Sequence, residues 1–229
     1  MLLAILLMGG TLIISLVAAA RVKGMFAKYS KLPTRAGYTG AEAAAAILRT
    51  AGIGNVQIVE HPSMLGDHYD PIHKRLVLSS DVYHGTSAAA LGVAAHECGH
   101  AIQDKVAYAP LKIRMAAVGV TTFANQIVFW LPMIGIFFLG MNPWIAGWIL
   151  AVGWGVIMLF NLVTLPVEFD ASNRAKLILG KMGFIQPGEE TVGVNKVLNA
   201  AALTYVAAFV TSLLYFLWYV LPLILGRRD

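Results

Sequence analysis

The sequence predicts a mainly α integral membrane protein, with about four transmembrane helices and a small α+β region between them. Three observations predict it. Hydrophobic residues make up 58% of the 229-residue chain and charged residues only 13%, and the mean hydropathy of +0.71 lies outside the range of soluble domains. Three stretches, 1–20, 115–167 and 197–226, contain no Asp, Glu, Lys or Arg. Nearly all of the charge falls in 21–114 and 167–199, which also hold the turn and strand signals.

Segment 1–20 has the length of one span, which needs about 20 apolar residues. Val17-Ala-Ala-Ala20 resembles a signal-peptide cleavage site, but no basic residue precedes the apolar run, so a retained helix is expected. In 21–114, Thr39-Gly-Ala-Glu42 has capping-box spacing, 43–50 continues as helix, and Gly52 can close it. Two strands follow, at 56–59 and 75–79, separated by the Asp70-Pro71 break and expected to run antiparallel. A free strand edge beside the next helix could pair with an extended peptide. In 115–166, Leu139-Gly-Met-Asn-Pro143 supplies the turn of a hairpin, giving spans near 115–139 and 144–166. A last span is expected at 200–225.

The layout is thus helix 1–20, polar region 21–114, hairpin 115–166, polar helical segment 167–199, and final span with tail 200–229. Basic residues set its orientation. Arg21, Lys23, Lys28, Lys31 and Arg35 follow the first span, Lys105, Lys112 and Arg114 precede the hairpin, and Arg174, Lys176 and Lys181 follow it. The positive-inside rule puts both polar segments in the cytoplasm of a multi-pass cell-membrane protein, against only the Arg227-Arg228 tail outside. Trp144, Trp148, Trp218 and Tyr219 suit interfacial belts or packing between helices. Gly135, Gly147 and Gly155 permit close helix contact but specify no oligomeric state. The net charge of +5 is accounted for by this asymmetry, and no nucleic-acid-binding module is recognisable. A single cysteine excludes an internal disulfide and fits a reducing compartment.

The chemistry concentrates in 87–104. Thr86 or Ser87 can cap a helix whose body is Ala and Leu. On it His96-Glu97-Cys98-Gly99-His100 places two imidazoles four residues apart on one side, able to share one Zn²⁺, with Glu97 beside them to handle a water proton. Leu91, Ala94, Ala95, Cys98 and Ile102 can bury the other flank, and Cys98 points away from the histidines. Such an HExxH helix implies a zincin-like catalytic region. A catalytic zinc usually has three protein ligands and an open position. The candidates for the third lie in Leu165-Pro-Val-Glu-Phe-Asp-Ala-Ser-Asn-Arg-Ala175, where Glu168 and Asp170 end a long uncharged run. Two apart on a helix, they cannot face the same way. The hairpin returns Glu168 to the surface that carries the zinc helix. Asp170 either holds a ligating imidazole or pairs with Arg174. Gln103 and Asp104 are candidate supporters of the zinc helix or simply its solvated end.

Four stretches together resemble the YugP-type membrane-bound zinc metallopeptidases: Ser63-Met-Leu-Gly-Asp-His-Tyr-Asp-Pro71, Leu76-Val-Leu-Ser79, Ala94-Ala-His-Glu-Cys-Gly-His-Ala-Ile-Gln103 and Leu165-Pro-Val-Glu-Phe-Asp-Ala-Ser172. The likeness runs nearly the full chain and is more distant to the HtpX and CAAX-prenyl proteases. It implies His96, His100 and Glu168 as zinc ligands and Glu97 as catalytic base. Those relatives carry Asp four residues after the glutamate; Ser172 stands there in this chain, so Asp170 or Asn173 becomes the candidate for that Asp's role. The expected activity is a zinc-dependent endopeptidase acting on protein or peptide substrates at the lipid bilayer, with His84, His68, His73 or Tyr205 as candidate oxyanion donors. His61, beside Pro62, is read as loop. A metal transporter would need ligands within the spans, which offer only neutral groups such as Thr121, Asn125, Gln126 and Asn161. A zinc-stabilised scaffold without protease activity would need a closed set of Cys and His, and one Cys with two suitably spaced His does not supply it.

Overall fold

The computed structural model describes residues 2–62, 66–136 and 138–226. Seven α-helices occur among them: α1 (Leu2–Tyr29), α2 (Gly40–Thr50), α3 (Ser80–Tyr83), α4 (Ala88–Lys105), α5 (Ala109–Trp130), α6 (Pro143–Lys181) and α7 (Glu189–Ile224). Three strands form one sheet: β1 (Gln57–His61), β2 (His68–Asp70) and β3 (Arg75–Ser79). The chain divides into two compact units.

The first unit comprises Val17–Leu111 and Pro166–Thr204. Its α2 starts as the sequence predicts. The Thr39 hydroxyl accepts from the Glu42 N–H while the Glu42 carboxylate accepts from the Thr39 N–H, a complete capping box. At the other end Gly52, with φ of 65°, takes the left-handed conformation that lets the chain leave the helix. The sheet corrects the expected topology: β1 and β3 run parallel, with Gln57 opposite Arg75 and His61 opposite Ser79. The cause is β2, a strand too short and polar to show alternation. It pairs antiparallel with β3, Tyr69 opposite Leu76, so Asp70-Pro71 opens a hairpin turn rather than separating two strands. The hairpin occupies one edge of β3, and β1 reaches the other edge through the long connection that parallel pairing requires.

β3 is the central strand and is buried from Leu76 to Ser79, as its unbroken apolar run implies. Against it and α2 packs α4, through Ala94, Ala95, Leu91 and Cys98, all fully buried. Leu179 of α6 and Val194 and Leu198 of α7 complete this core. Each such aliphatic side chain contributes about 1.5–3 kcal/mol by leaving water. The Cys98 thiol, directed at the Ala44 carbonyl and pushed up in pKa by burial, is a packing group. The start of α4 is tied down by the Thr34 N–H donating to Thr86 O at 2.9 Å, the Ala88 N–H donating to Leu32 O at 2.9 Å, and the Ser87 hydroxyl capping the Ala90 N–H.

The second unit comprises Met1–Leu16, Lys112–Leu165 and Tyr205–Asp229. Its helices show Leu6, Ile13, Phe123, Leu159 and Leu221 to the outside, an exposed apolar surface of the kind a membrane-spanning helix carries. Inside it Trp154 stacks on Tyr215 at 4.4 Å between ring centroids, and the Asn161 amide donates to Ser212 Oγ at 3.0 Å. Among the described residues three helices are long and apolar enough to cross a membrane: Leu2–Tyr29, Pro143–Lys181 and Glu189–Ile224. The segment expected as a span at 115–139 is helical in α5 and then passes into a π turn at Leu131–Ile136, but it is not among the three. Asn125 and Gln126 fall in its middle, and Lys112 and Arg114 occupy the start of α5.

Candidate metal centre

Residues from two distant stretches converge within the first unit. On α4, His96 and His100 lie on one side, their rings 4.7 Å apart and nearly perpendicular. Glu168 comes from α6, two residues beyond Pro166. Its Oε2 is 3.2 Å from His96 Nε2 and 3.6 Å from His100 Nε2. One donor atom from each of the three residues falls within 4.8 Å of the others, and the carboxylate is 2% exposed. Two imidazole nitrogens and a carboxylate oxygen are a donor set that zinc accepts, and three ligands leave a fourth position open. The residues therefore fit the ion.

What lies behind each ring matters as much as its metal-facing nitrogen. His96 Nδ1 lies 3.1 Å from the Ser172 hydroxyl. Ser172 thus occupies a supporting place, while Asn173 is exposed. His100 Nδ1 meets Gln103 Oε1 at 3.0 Å, and the Gln103 amide nitrogen donates to Val167 O and to Asp170 Oδ2, both at 2.8 Å. Asp170 also pairs with Arg174 at 2.6 Å, so both roles considered for it are present: an ion pair, and support of an imidazole through Gln103. Burial pushes the pKa of His100 down, but its hydrogen bond to Glu168 and the charges of Glu97 and Glu168 outweigh that and raise it.

Glu97 is buried to 7% exposure, and its Oε2 accepts the backbone N–H of Tyr69 at 3.0 Å. The edge strand β2 is therefore docked on the helix that carries the histidines. The same tyrosine gives its hydroxyl to Asp104 at 2.7 Å, and Lys74 joins Asp104 at 2.5 Å. Asp104 is thus a strap point for the hairpin and not a bare helix end. Of the candidate oxyanion donors, His68 bonds the Gly66 carbonyl, His73 pairs with Asp70 and His84 with Glu60, all on the exposed side. Tyr205 belongs to the other unit. His61 ends β1 and is not a loop residue.

The sequence reading missed Gly99. A Cβ there would lie 2.7 Å from Ala171 O, so α4 and α6 touch backbone to backbone between the donors. The available signal was a glycine inside a helix, where it costs about 1 kcal/mol and needs a packing reason. Gln103 also carried a signal, seven residues after His96 and three after His100 on the same helical face.

Residues 4–224 match the family described as "Putative neutral zinc metallopeptidase". Among curated proteins the chain is 43% identical over 217 residues to the "Putative membrane protease YugP" of Bacillus subtilis (strain 168), covering 93% of this chain and 92% of that protein. No solved structure matches. The match spans nearly the whole chain, both donor stretches included, and the chain belongs to the neutral zinc metallopeptidase family.

Proposed function

We propose that the chain is a membrane-embedded zinc-dependent endopeptidase that hydrolyses peptide bonds at the cytoplasmic surface of the cell membrane. The observation that carries this reading is the approach of His96, His100 and Glu168 to within 4.8 Å from two separate stretches of chain. His96 and His100 would hold zinc through Nε2 and Glu168 through a carboxylate oxygen. When bound, the ion supplies Lewis acidity toward water and a scissile carbonyl. Glu97 does the proton work: with Oε2 held by the Tyr69 N–H, it takes the proton of the attacking water and returns it to the leaving amine. β2 offers an extended substrate a strand beside that carboxylate. The name of the Bacillus relative, a membrane protease, supports the same reading.

The membrane layout belongs to the proposal as well. Spans at 1–20, in the hairpin 115–166 and at 200–225 leave 21–114 and 167–199 on the cytoplasmic side, where the excess of Lys and Arg lies. Reporter fusions after residues 60 and 185 test it; translocated reporters at both would reverse the orientation.

The test of the activity is Glu97→Gln. Purified in detergent with zinc and offered a proteome-derived peptide library, the wild type is expected to cleave, while the variant binds zinc equally and cleaves nothing. Cleavage at the wild-type rate by the variant removes Glu97 as base. Zinc binding by wild type without any cleavage favours the scaffold reading instead.

A further inference from the structure

We propose that Gln103 is a positioning residue that fixes the tautomer of His100, holding the proton on Nδ1 so that the Nε2 lone pair faces Glu168. The inference rests on the reading above that His100 binds a metal through Nε2.

The geometry leaves one arrangement. Gln103 is fully buried, so its amide must find its partners within the protein. One end of that amide faces two groups, the Val167 carbonyl and the Asp170 carboxylate, each at 2.8 Å. A carbonyl oxygen is only an acceptor, and so is a carboxylate held charged by Arg174 at 2.6 Å. The end that faces them must be the NH₂, with its two donors. Turning the amide over would set a carbonyl against two acceptors in a buried site. The oxygen therefore faces His100, and His100 Nδ1 at 3.0 Å must donate to it. In the neutral ring the other nitrogen then carries the lone pair.

His96 has no such lock. Its Nδ1 meets the Ser172 hydroxyl, which either donates or accepts by rotating. The two rings are thus supported unequally, one by a fixed amide and one by an adaptable hydroxyl. Gln103 also spans the two stretches that supply the donors: it sits on α4, and both of its acceptors flank Glu168 on α6. Loss of its amide releases the imidazole and unties the turn that presents the carboxylate.

The test uses the full-length chain in detergent micelles, metal-free, with ¹⁵N-labelled histidine, at alkaline pH where the ring is neutral. The wild type is expected to show His100 protonated on Nδ1. Gln103→Met, similar in volume but without the amide, is expected to show a mixture of tautomers or the Nε2-protonated form. Zinc affinity, read by chelator competition, is expected to fall about 10–100-fold in that variant, the usual effect of removing a partner behind a ligating histidine. Wild-type His100 protonated on Nε2 overturns the proposal, and that measurement needs no variant to fold. An unchanged tautomer in Gln103→Met overturns it too. Because the tautomer is read without metal, a wild type that binds no zinc defeats the functional reading and leaves this inference to stand or fall on its own spectrum.

Discussion

Gly99 and Ala171 bring α4 and α6 into backbone contact: a Cβ on Gly99 would meet the Ala171 carbonyl oxygen at 2.7 Å and its Cα at 3.0 Å. Gly99 precedes His100, and Ala171 lies three residues beyond Glu168, so the contact sets the distance between the histidines and the carboxylate. Replacing glycine by alanine in a free helix stabilises it by about 1 kcal/mol. Here the added methyl meets backbone that cannot rotate away, and overpacking of this kind costs about 1–3 kcal/mol. Gly99→Ala is therefore expected to lower the thermal midpoint and weaken zinc binding together. A raised midpoint with unchanged affinity would show that the two helices do not touch here.

The local signals along this chain were legible because they act within a few residues. The capping box at Thr39 and Glu42, the Ser87 cap and the shared face of His96 and His100 each depend on helical periodicity alone. The return of the hairpin made Glu168 and Asp170 candidates for the third ligand, and the resemblance singled out Glu168; nothing local requires a glutamate 68 positions beyond His100 to meet it. The parallel pairing of β1 with β3 was not legible. It depends on three residues, His68 to Asp70, whose strand character comes from docking on β3 and on Glu97, not from their own pattern. The role of Ser172 was hidden for a similar reason: a hydroxyl becomes an imidazole partner only through the crossing of α6 over α4.

Metal binding should register as stability. A ligand that binds only the folded state stabilises it by about 2.7 kcal/mol at a concentration one hundred times its dissociation constant. Zinc is expected to raise the thermal midpoint of the wild type and a chelator to reverse it. Glu168→Ala leaves two histidine ligands, and its midpoint is expected to respond weakly or not at all to zinc. A full response in that variant would reject Glu168 as a ligand.

Tyr69 fastens the β2–β3 hairpin to α4 in two ways, and they can be separated. Tyr69→Phe removes only the hydroxyl that donates to Asp104, which keeps Lys74 as partner. The expected cost is about 1.5 kcal/mol of stability, the low end for a hydrogen bond to a charged group, because Asp104 remains partnered. The backbone N–H that holds Glu97 is untouched, so kcat on a cleaved peptide should stay within a few-fold of wild type. A large fall in kcat without loss of stability would mean that the hydroxyl itself acts on the substrate.

Desolvation of Asp67, beside Glu97, gives the fold a pH dependence whose sign follows from its surroundings. Burial raises its carboxyl pKa, the Ser79 N–H and hydroxyl partly offset this, and the nearby Glu97 charge adds to the rise. A carboxyl whose folded pKa is raised binds its proton more tightly folded than unfolded, where the value is about 3.9. Its contribution is complete below that unfolded value and is lost as pH rises through the folded one. Asp67→Asn cannot titrate, yet its side-chain oxygen can still accept the Ser79 N–H that the aspartate accepts at 2.7 Å. The variant is therefore expected to gain on the wild type as pH rises above about 3.9, and to hold that gain at neutral pH. Thermal midpoints of both proteins, measured in metal-free buffer across this window, give the comparison. A difference that shrinks as pH rises would show that Asp67 is stabilised as a carboxylate, its bonds from Ser79 outweighing desolvation and the nearby Glu97 charge.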